Sequence, residues 1–307
     1  MGQFFIECSV DFYIERDGRM QADNYRKIRK VLWLILFANL GVAAIKIIAG
    51  YLINSTSLTA DGFHSLTDGS SNIVGLIGIH FASKPVDEDH PYGHRKFETL
   101  AGFLISVMLF ILAARVISSA FIGFVKPTVP IVTFESIIAI TATLAVNIFV
   151  SRYEYLQGQK LNSTILTSDS LHTRSDVFIS IGVLFTLVCI KLGIPPVIDS
   201  IASLAVSGFV LHAACEIFNN TCGVLLDKAA VDPDRIKKII MDFEQVKDVH
   251  KIRSRGCNSE VFVDLHILVD PGINIAESHM LMHSIEKKVC SELSTPLQMI
   301  IHIEPFY

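Results

Sequence analysis

Charged side chains are scarce in this sequence. Asp, Glu, Lys and Arg make up 18% of its 307 residues, whereas a soluble domain carries about 25%. Apolar residues account for 51% of the chain, and its mean hydropathy is +0.49. This balance argues against an ordinary soluble enzyme and favours a chain with long segments inside a lipid bilayer.

The chain also lacks two patterns that would indicate other functions. It has no block of five or six consecutive basic residues, so the electrostatic signature of a nucleic-acid-binding protein is missing. Its six cysteines form no C-x-x-C pair, which argues against a thiolate zinc knuckle. We interpret these cysteines as free thiols, either in a reducing compartment or within the membrane.

Apolar segments long enough to cross a bilayer, which takes roughly 20 residues, recur along the first two thirds of the chain. The six predicted spans are 31–52, 58–82, 99–124, 131–153, 170–192 and 197–220. Lys and Arg are concentrated before the first span and in the loops after the second and fourth, as expected for cytoplasmic segments. Because the number of spans is even, both termini are predicted to be cytoplasmic.

The sequence changes character after Asp227. Two stretches have apolar residues at helical spacing, and the stretches "SEVFVDLHILVD" and "MIIHIEP" read as strands. We predict an N-terminal cytoplasmic segment over 1–25, a six-span domain over 26–226 and a cytoplasmic domain over 227–307. The predicted fold class is therefore an α-helical membrane protein with six transmembrane helices and a small cytoplasmic α+β domain of αββαβ order.

Two stretches inside the apolar part share one polar pattern, D-x-x-H-x-x-x-D. They are "DGFHSLTD" and "DSLHTRSD". On a helix, the His and the following Asp lie one turn apart on the same face. If His64 with Asp68 and His172 with Asp176 converge from two packed helices, they offer two nitrogens and two oxygens. This four-ligand shell suits zinc and similar divalent transition metals.

The energetic cost of these groups supports a functional interpretation. An Asp in the middle of a bilayer costs roughly 2.5–3.5 kcal/mol, so Asp68 and Asp176 need compensation. Hydrogen bonds between helices are the alternative explanation, and the matched pairs disfavour it. Asp61 and Asp169, which begin the two motifs, either support the site or lie on the path of the ion towards it.

With "HSLTD", "LHTRSD" and "DEDHPYGHRKFE" in this order, the chain resembles the cation diffusion facilitator family of divalent-metal exporters, from about residue 25 to its end. The resemblance implies a homodimer in a lipid bilayer that exchanges cytoplasmic metal ions for external protons. It implies that the four His and Asp residues of the two motifs form the transport site. It also implies a metallochaperone-like cytoplasmic domain. The His-Asp-His-Asp combination is similar to that of zinc-type members, with cadmium, cobalt, iron or manganese as further candidate ions.

The loop between the second and third spans contains another set of potential ligands. By spacing alone, Asp87, His90 and His94 fit either a solvated polar loop or a metal site. The resemblance implies a second, interfacial metal site at these three residues. It also implies an ion pair between subunits, formed by Lys96 and Asp227.

The cytoplasmic domain contains five histidines, and the resemblance assigns four of them to metal. It implies one site of His250, His266 and Glu304, and a second that includes His279 and His302. Related sequences commonly have Asp where Glu304 stands, and a ligand where Ile303 stands. Because an isoleucine side chain cannot bind metal, the second site is expected to be weaker or completed by water.

These features predict a multi-pass divalent cation/proton antiporter that exports zinc, in a bacterial inner membrane, and not an enzyme. Two alternatives stay open. One is an iron or manganese exporter of the same family. The other is a membrane metalloenzyme, because His/Asp metal shells also activate water. No further constellation of nucleophile and acid–base groups appears beside the motifs in the sequence, which favours transport.

Overall fold

Long apolar helices form the first part of the protein. The computed structural model describes residues 3–52, 66, 69–125, 134–195, 197–257, 260–293 and 297–307. The chain divides into two units, Met1–Thr221 and Cys222–Tyr307. The helices that the structure describes in this part are α1 (Gln3–Leu52), α2 (Ser70–Ala82), α3 (Lys96–Val125), α4 (Phe134–Leu161), α5 (Thr164–Lys191) and α6 (Val197–Leu225).

The described helices overlap all six predicted spans. Among the described residues, four segments are long and apolar enough to cross a membrane: Asp23–Ile48, Lys96–Val125, Thr164–Ile190 and Val197–Leu225. The predicted span 58–82 is described mainly through α2, which is a shorter apolar helix. The predicted span 131–153 corresponds to α4, a helix of 28 residues with polar positions such as Asn147 along its length.

Side chains at helical spacing build the core of this first unit. On α1, Ile28, Leu32 and Ile35 are 2%, 0% and 0% exposed and form one apolar stripe. They belong to a buried cluster with Ile79 of α2 and Ile165 of α5. The stripe therefore joins α1 to α2 and to α5, which carries the second polar motif.

The outward faces of these helices remain apolar. Phe37, Ile111 and Phe185 are 63%, 53% and 55% exposed, which would be unfavourable over a large area in water. In a bilayer the same side chains contact lipid tails, so the surface composition agrees with membrane-spanning helices.

Polar contacts define where α5 begins. The chain turns at Asn162, which has a φ of 49°, and Ser163 caps the helix by accepting a hydrogen bond from the Leu166 amide at 3.4 Å. The Ser163 hydroxyl also donates to Glu98 Oε1 of α3 at 2.6 Å. This contact ties the start of α5 to α3 and so sets the height of the D-x-x-H-x-x-x-D motif along the bundle.

A close approach between α2 and α3 depends on a glycine. A Cβ atom added to Gly78 would overlap the Ala101 side chain, so only glycine lets the two backbones pack at this distance. Small residues at helix crossings have this role in membrane bundles.

The second unit has the predicted αββαβ order. Its elements are α7 (Pro233–Ile240), β1 (Val246–Cys257), β2 (Glu260–Val269), α8 (Ile275–Leu293) and β3 (Leu297–Pro305). The sheet order is β1-β2-β3, with β1 antiparallel and β3 parallel to β2. A parallel pair needs a crossover connection, which α8 provides between β2 and β3.

The sheet buries one of its faces. Alternate residues of β2 are 0–4% exposed: Val261, Val263, Leu265, Ile267 and Val269. They share a core cluster with Ile236 and Ile240 of α7 and Ile285 of α8. Because side chains alternate along a strand, the residues between them, including His266, lie on the opposite face of the sheet.

Candidate metal sites

His172 and Asp176 of α5 lie at a partly open cavity of the first unit. The cavity has a volume of about 30 Å³, which is room for a water molecule or an ion. His172 is 6% exposed, and neither of its ring nitrogens has a hydrogen-bond partner among the described residues. The other residues at the cavity are Asn39, Val42, Ser71, Thr143, Asn147 and Thr173.

The first motif lies at the edge of what the structure describes. His64, Asp68 and Asp61 fall outside the described residues, so their predicted convergence with His172 and Asp176 stays a prediction. The described part of the second span begins immediately afterwards with α2. Ser71, near the start of α2, lies at the cavity.

The structure also brings polar residues to the cavity that the motifs did not indicate. Asn39 of α1 donates from Nδ2 to Asn72 Oδ1 at 3.0 Å, and Thr143 and Asn147 of α4 line the cavity. A carboxamide within an apolar helix is itself a signal, because polar groups inside a bilayer are costly. Asn39 and Asn147 both lie in apolar helices, so the sequence offered this signal for both residues.

Asp169 does not line the cavity but lies close to it. Its side chain is 0% exposed and accepts a hydrogen bond from Asn72 Nδ2. The Asp169 carbonyl accepts from Thr173 Oγ1 at 3.1 Å, and Thr173 lines the cavity. These hydrogen bonds join α2 to α5 beside His172.

The loop residues Asp87, His90 and His94 converge. Candidate ligand atoms of the three side chains all lie within 4.8 Å of one another. Asp87 Oδ1 is 3.2 Å from His90 Nδ1, and Asp87 Oδ2 is 3.3 Å from His94 Nε2. Asp87 and His90 are half-exposed and His94 is buried, so an ion bound here could still exchange with solvent.

The electrostatics of the loop favour a charged carboxylate. Asp87 Oδ1 accepts a hydrogen bond from the His90 amide at 2.7 Å. This bond is the largest reason why the pKa of Asp87 lies below its usual range. A metal ligand must be deprotonated, and Asp87 meets this requirement at neutral pH.

Strand register explains a row of histidines in the second unit. His250 of β1 pairs directly with His266 of β2, and His266 pairs directly with His302 of β3. Glu304 lies two residues after His302, hence on the same face of β3. Candidate ligand atoms of His250, His266 and Glu304 lie within 4.8 Å of one another.

Glu304 connects the members of this row. Its Oε1 is 2.8 Å from His266 Nδ1 and 3.7 Å from His302 Nε2, and its Oε2 is 3.1 Å from His250 Nε2. The hydrogen bond with His266 is the main cause that lowers the pKa of Glu304. The resemblance places His302 in the second cytoplasmic site, but its described contact is with Glu304 of the first site.

His279, which the resemblance places with His302, has a different described neighbour. Its Nε2 lies 3.2 Å from His283 Nε2, one turn further along α8. His283 Nδ1 in turn lies 3.6 Å from Glu286 Oε2. The second cytoplasmic site stays a prediction.

Lys96 and Asp227 belong to different units of the chain. Lys96 begins α3, and Asp227 follows α6 with a φ of 53°. Each of the two residues makes at least one contact in the structure. The predicted ion pair between subunits stays a prediction.

We expect Glu304→Gln to lower the melting temperature of the metal-free protein at neutral pH and to have no effect at strongly acidic pH. A carboxyl group with a lowered pKa in the folded state stabilises that state above its unfolded pKa. The contribution disappears as the pH falls through the folded pKa. Thermal unfolding between pH 3 and 7 measures the difference. The exposed Glu244 provides the control Glu244→Gln, and an equal shift for both variants would contradict the contact.

We also expect zinc to stabilise the fragment 229–307 against heat. The fragment can fold by itself because this unit has its own core. A ligand at a hundred times its Kd adds about 2.7 kcal/mol, which for a domain of this size raises Tm by roughly 10 °C or more. His266→Ala should remove most of the shift. His283→Ala, outside the row, should keep it. Calorimetry at saturating zinc tests this expectation, and no shift in the unmodified fragment would contradict a metal site on the sheet.

Comparison with known families identifies the chain. A sequence model of the cation efflux transmembrane domain matches residues 32–226. A second model, the cytoplasmic domain of cation efflux proteins, matches residues 230–306. The chain belongs to the cation efflux family, also called the cation diffusion facilitators.

Individual relatives align with this chain over nearly its whole length. An uncharacterized transporter of Methanocaldococcus jannaschii is 34% identical, over 88% of this chain and 94% of its own. The manganese efflux system proteins MneP and MneS of Bacillus subtilis are 28% and 31% identical, over 94% and 92% of this chain. These alignments cover 99% and 97% of the two relatives.

Family membership confirms the predicted resemblance and fold class, a helical membrane domain followed by a small α+β domain. The protein is a multi-pass membrane transporter that mediates efflux of divalent metal cations. Relatives named as efflux and metal tolerance proteins also favour a transporter over the metalloenzyme alternative.

Proposed function

We propose that this cation efflux protein exports zinc from the cytoplasm in exchange for protons, as a homodimer. The observation that carries the proposal is the buried imidazole of His172. Both its nitrogens lack hydrogen-bond partners among the described residues, and it shares a cavity with Asp176. Leaving buried polar atoms unpaired is unfavourable, and a bound metal ion supplies the missing partner for one of these nitrogens.

His64 and Asp68 complete a four-ligand site in this proposal. Two imidazoles and two carboxylates match the nitrogen and oxygen donors that tetrahedral zinc accepts. Asp169 supports the site through Asn72 and its contact with Thr173.

Proton coupling follows from the chemistry of the ligands. Each ligand must lose its proton before it binds metal, and imidazoles titrate near neutral pH. When the site faces the more acidic side of the membrane, protons therefore displace zinc. When it faces the cytoplasm, metal binding releases protons.

The remaining parts of the proposal concern orientation and assembly. Both termini and the loop with Asp87, His90 and His94 lie in the cytoplasm, and the membrane is a bacterial inner membrane. The loop ligands bind metal at the dimer interface, Lys96 and Asp227 pair between subunits, and the histidine row binds regulatory zinc. The match to the family's cytoplasmic domain and the convergence of both ligand groups support this assignment.

Reconstituted vesicles test the proposal. Purified protein in proteoliposomes loaded with a zinc-sensitive dye should take up zinc when the vesicle interior is acidic. Dissipating the gradient with a protonophore should reduce uptake to that of empty vesicles. Zinc uptake that ignores the pH gradient would contradict antiport, and absence of zinc uptake with manganese uptake present would contradict zinc as the cargo.

Manganese is the second candidate cargo, and two observations favour it. MneP and MneS are named as manganese efflux proteins. In addition, Asn39, Thr143 and Asn147, whose side chains contain oxygen atoms, line the cavity, and manganese prefers oxygen ligands. Competition between zinc and manganese in the same vesicles decides between the two ions.

A further inference from the structure

A pair of buried carboxyl groups lies beside the transport site. Glu154 of α4 and Asp169 of α5 are both 0% exposed, and Thr173 Oγ1 contacts both residues, at 3.0 Å from Glu154 Oε2 and 3.1 Å from the Asp169 carbonyl oxygen. Asp169 precedes His172 by three residues, so the pair lies about one helical turn from the cavity. It is displaced towards the connection between α4 and α5.

Each carboxyl group has one fixed and one unpartnered oxygen. Thr173 Oγ1 donates to Glu154 Oε2 at 3.0 Å, and Asn72 Nδ2 donates to Asp169 Oδ2. Glu154 Oε1 and Asp169 Oδ1 have no hydrogen-bond partner among the described residues. The fixed oxygens orient both groups, and the other two remain available to a ligand.

The two buried carboxyl groups need a proton or a cation beside them. Burying an isolated carboxylate is costly, and two adjacent carboxylates also repel each other in a medium of low dielectric constant. A shared proton or a metal cation relieves both costs. The two unpartnered oxygens, with the Thr173 hydroxyl beside Glu154 Oε2, offer oxygen ligands to such a cation.

The pair is continuous with the cavity of the transport site. Thr173 donates to Glu154 and also lines the cavity together with His172 and Asp176. An ion held by the two carboxylates would therefore have one side-chain layer to cross before it reaches His172.

We propose that Glu154 and Asp169 bind a divalent cation as a staging site next to the transport site. Oxygen ligands alone suit manganese and hold zinc less tightly than a site with imidazoles. An ion can therefore bind here first and then move to the nitrogen ligands. The staging role rests on the proposed transport site at His172 and Asp176 and on uptake from the cytoplasm, whereas metal binding by the two carboxyl groups does not.

Metal counting on the full-length protein tests the site directly. In a background of His172→Ala, Asp176→Ala, His90→Ala and His266→Ala, bound Mn²⁺ is measured from the loss of the free-ion signal in electron paramagnetic resonance. Adding Glu154→Gln should lower the number of bound ions by one per chain. Adding Glu216→Gln, a change at an exposed acid of α6, should leave it unchanged. An equal count with and without Glu154→Gln overturns the proposal and identifies the pair as a hydrogen bond with a shared proton.

A second variant covers the case in which Glu154→Gln misfolds, and a flux measurement tests the staging role. Asp169→Asn should remove the same ion, so it replaces Glu154→Gln if that protein fails to elute as a single species. In otherwise unmodified protein, Glu154→Gln should raise the KM for manganese or zinc uptake about tenfold, and Glu154→Asp should restore most of it. An unchanged KM overturns the staging role. Because the Mn²⁺ count needs no transport, failure of zinc/proton antiport in the vesicles leaves the site itself standing.

Discussion

Replacing Asp176 with alanine is expected to lower zinc uptake driven by a pH gradient at least a hundredfold. Asp176 lies at the cavity with His172 and, in the proposed site, supplies one of two charged oxygens. Removing one partner of a buried charge pair costs about 3 kcal/mol or more, which is roughly a hundredfold in affinity. Initial uptake rates in proteoliposomes measure the effect, with chromatography to verify that the variant folds.

Asp199→Ala is the matched control for this variant. Asp199 also lies in an apolar helix, in the first turn of α6, but it is not among the residues of the cavity. Its loss removes a favourable interaction with the helix dipole of at most about 1 kcal/mol, so uptake should stay close to that of the unmodified protein. Uptake by folded Asp176→Ala within tenfold of normal would contradict the four-ligand site.

His64→Asp should shift the cargo from zinc towards manganese and iron. Imidazole suits zinc, whereas a carboxylate is a harder ligand that suits manganese. The change keeps four donors and adds negative charge, so the ratio of zinc to manganese uptake should fall roughly tenfold, equivalent to about 1.4 kcal/mol. The pH dependence should change as well, because the site loses a group that titrates near neutral pH.

Competitive uptake of the two ions by the same vesicles measures this ratio. His90→Asp makes the same exchange in the loop, at a half-exposed position, and should leave the ratio unchanged. If His64→Asp also leaves it unchanged, His64 does not bind the transported ion and selectivity is set by other residues.

Much of this structure could be predicted from patterns within short stretches of the sequence. The helical spacing of His172 and Asp176 is a property of five consecutive residues, and one helix is enough to put both on the same face. The αββαβ order was likewise predictable, because apolar spacing distinguishes α7 and α8 from the alternating strand β2. For Asp87, His90 and His94, the short spacing left a solvated loop and a metal site both open, and the resemblance to the family favoured the metal site.

Pairings between distant elements were not predictable in the same way. The row of His250, His266 and His302 depends on the register of β1 and β3 against β2, and no local spacing specifies register. Glu154 pairs with Asp169 only because α4 and α5 pack side by side. A lone carboxyl group near a helix end gives no indication of such a partner.

Locating zinc in the membrane domain tests the central claim most directly. The claim is that the exported ion is bound by His172 and Asp176 inside the bundle. A structure of the zinc-loaded protein, with anomalous data at the zinc edge, should show a peak about 2.0–2.2 Å from one His172 nitrogen and one Asp176 oxygen. Zinc peaks at the Asp87 loop and the histidine row, with none at the His172 cavity, would contradict it.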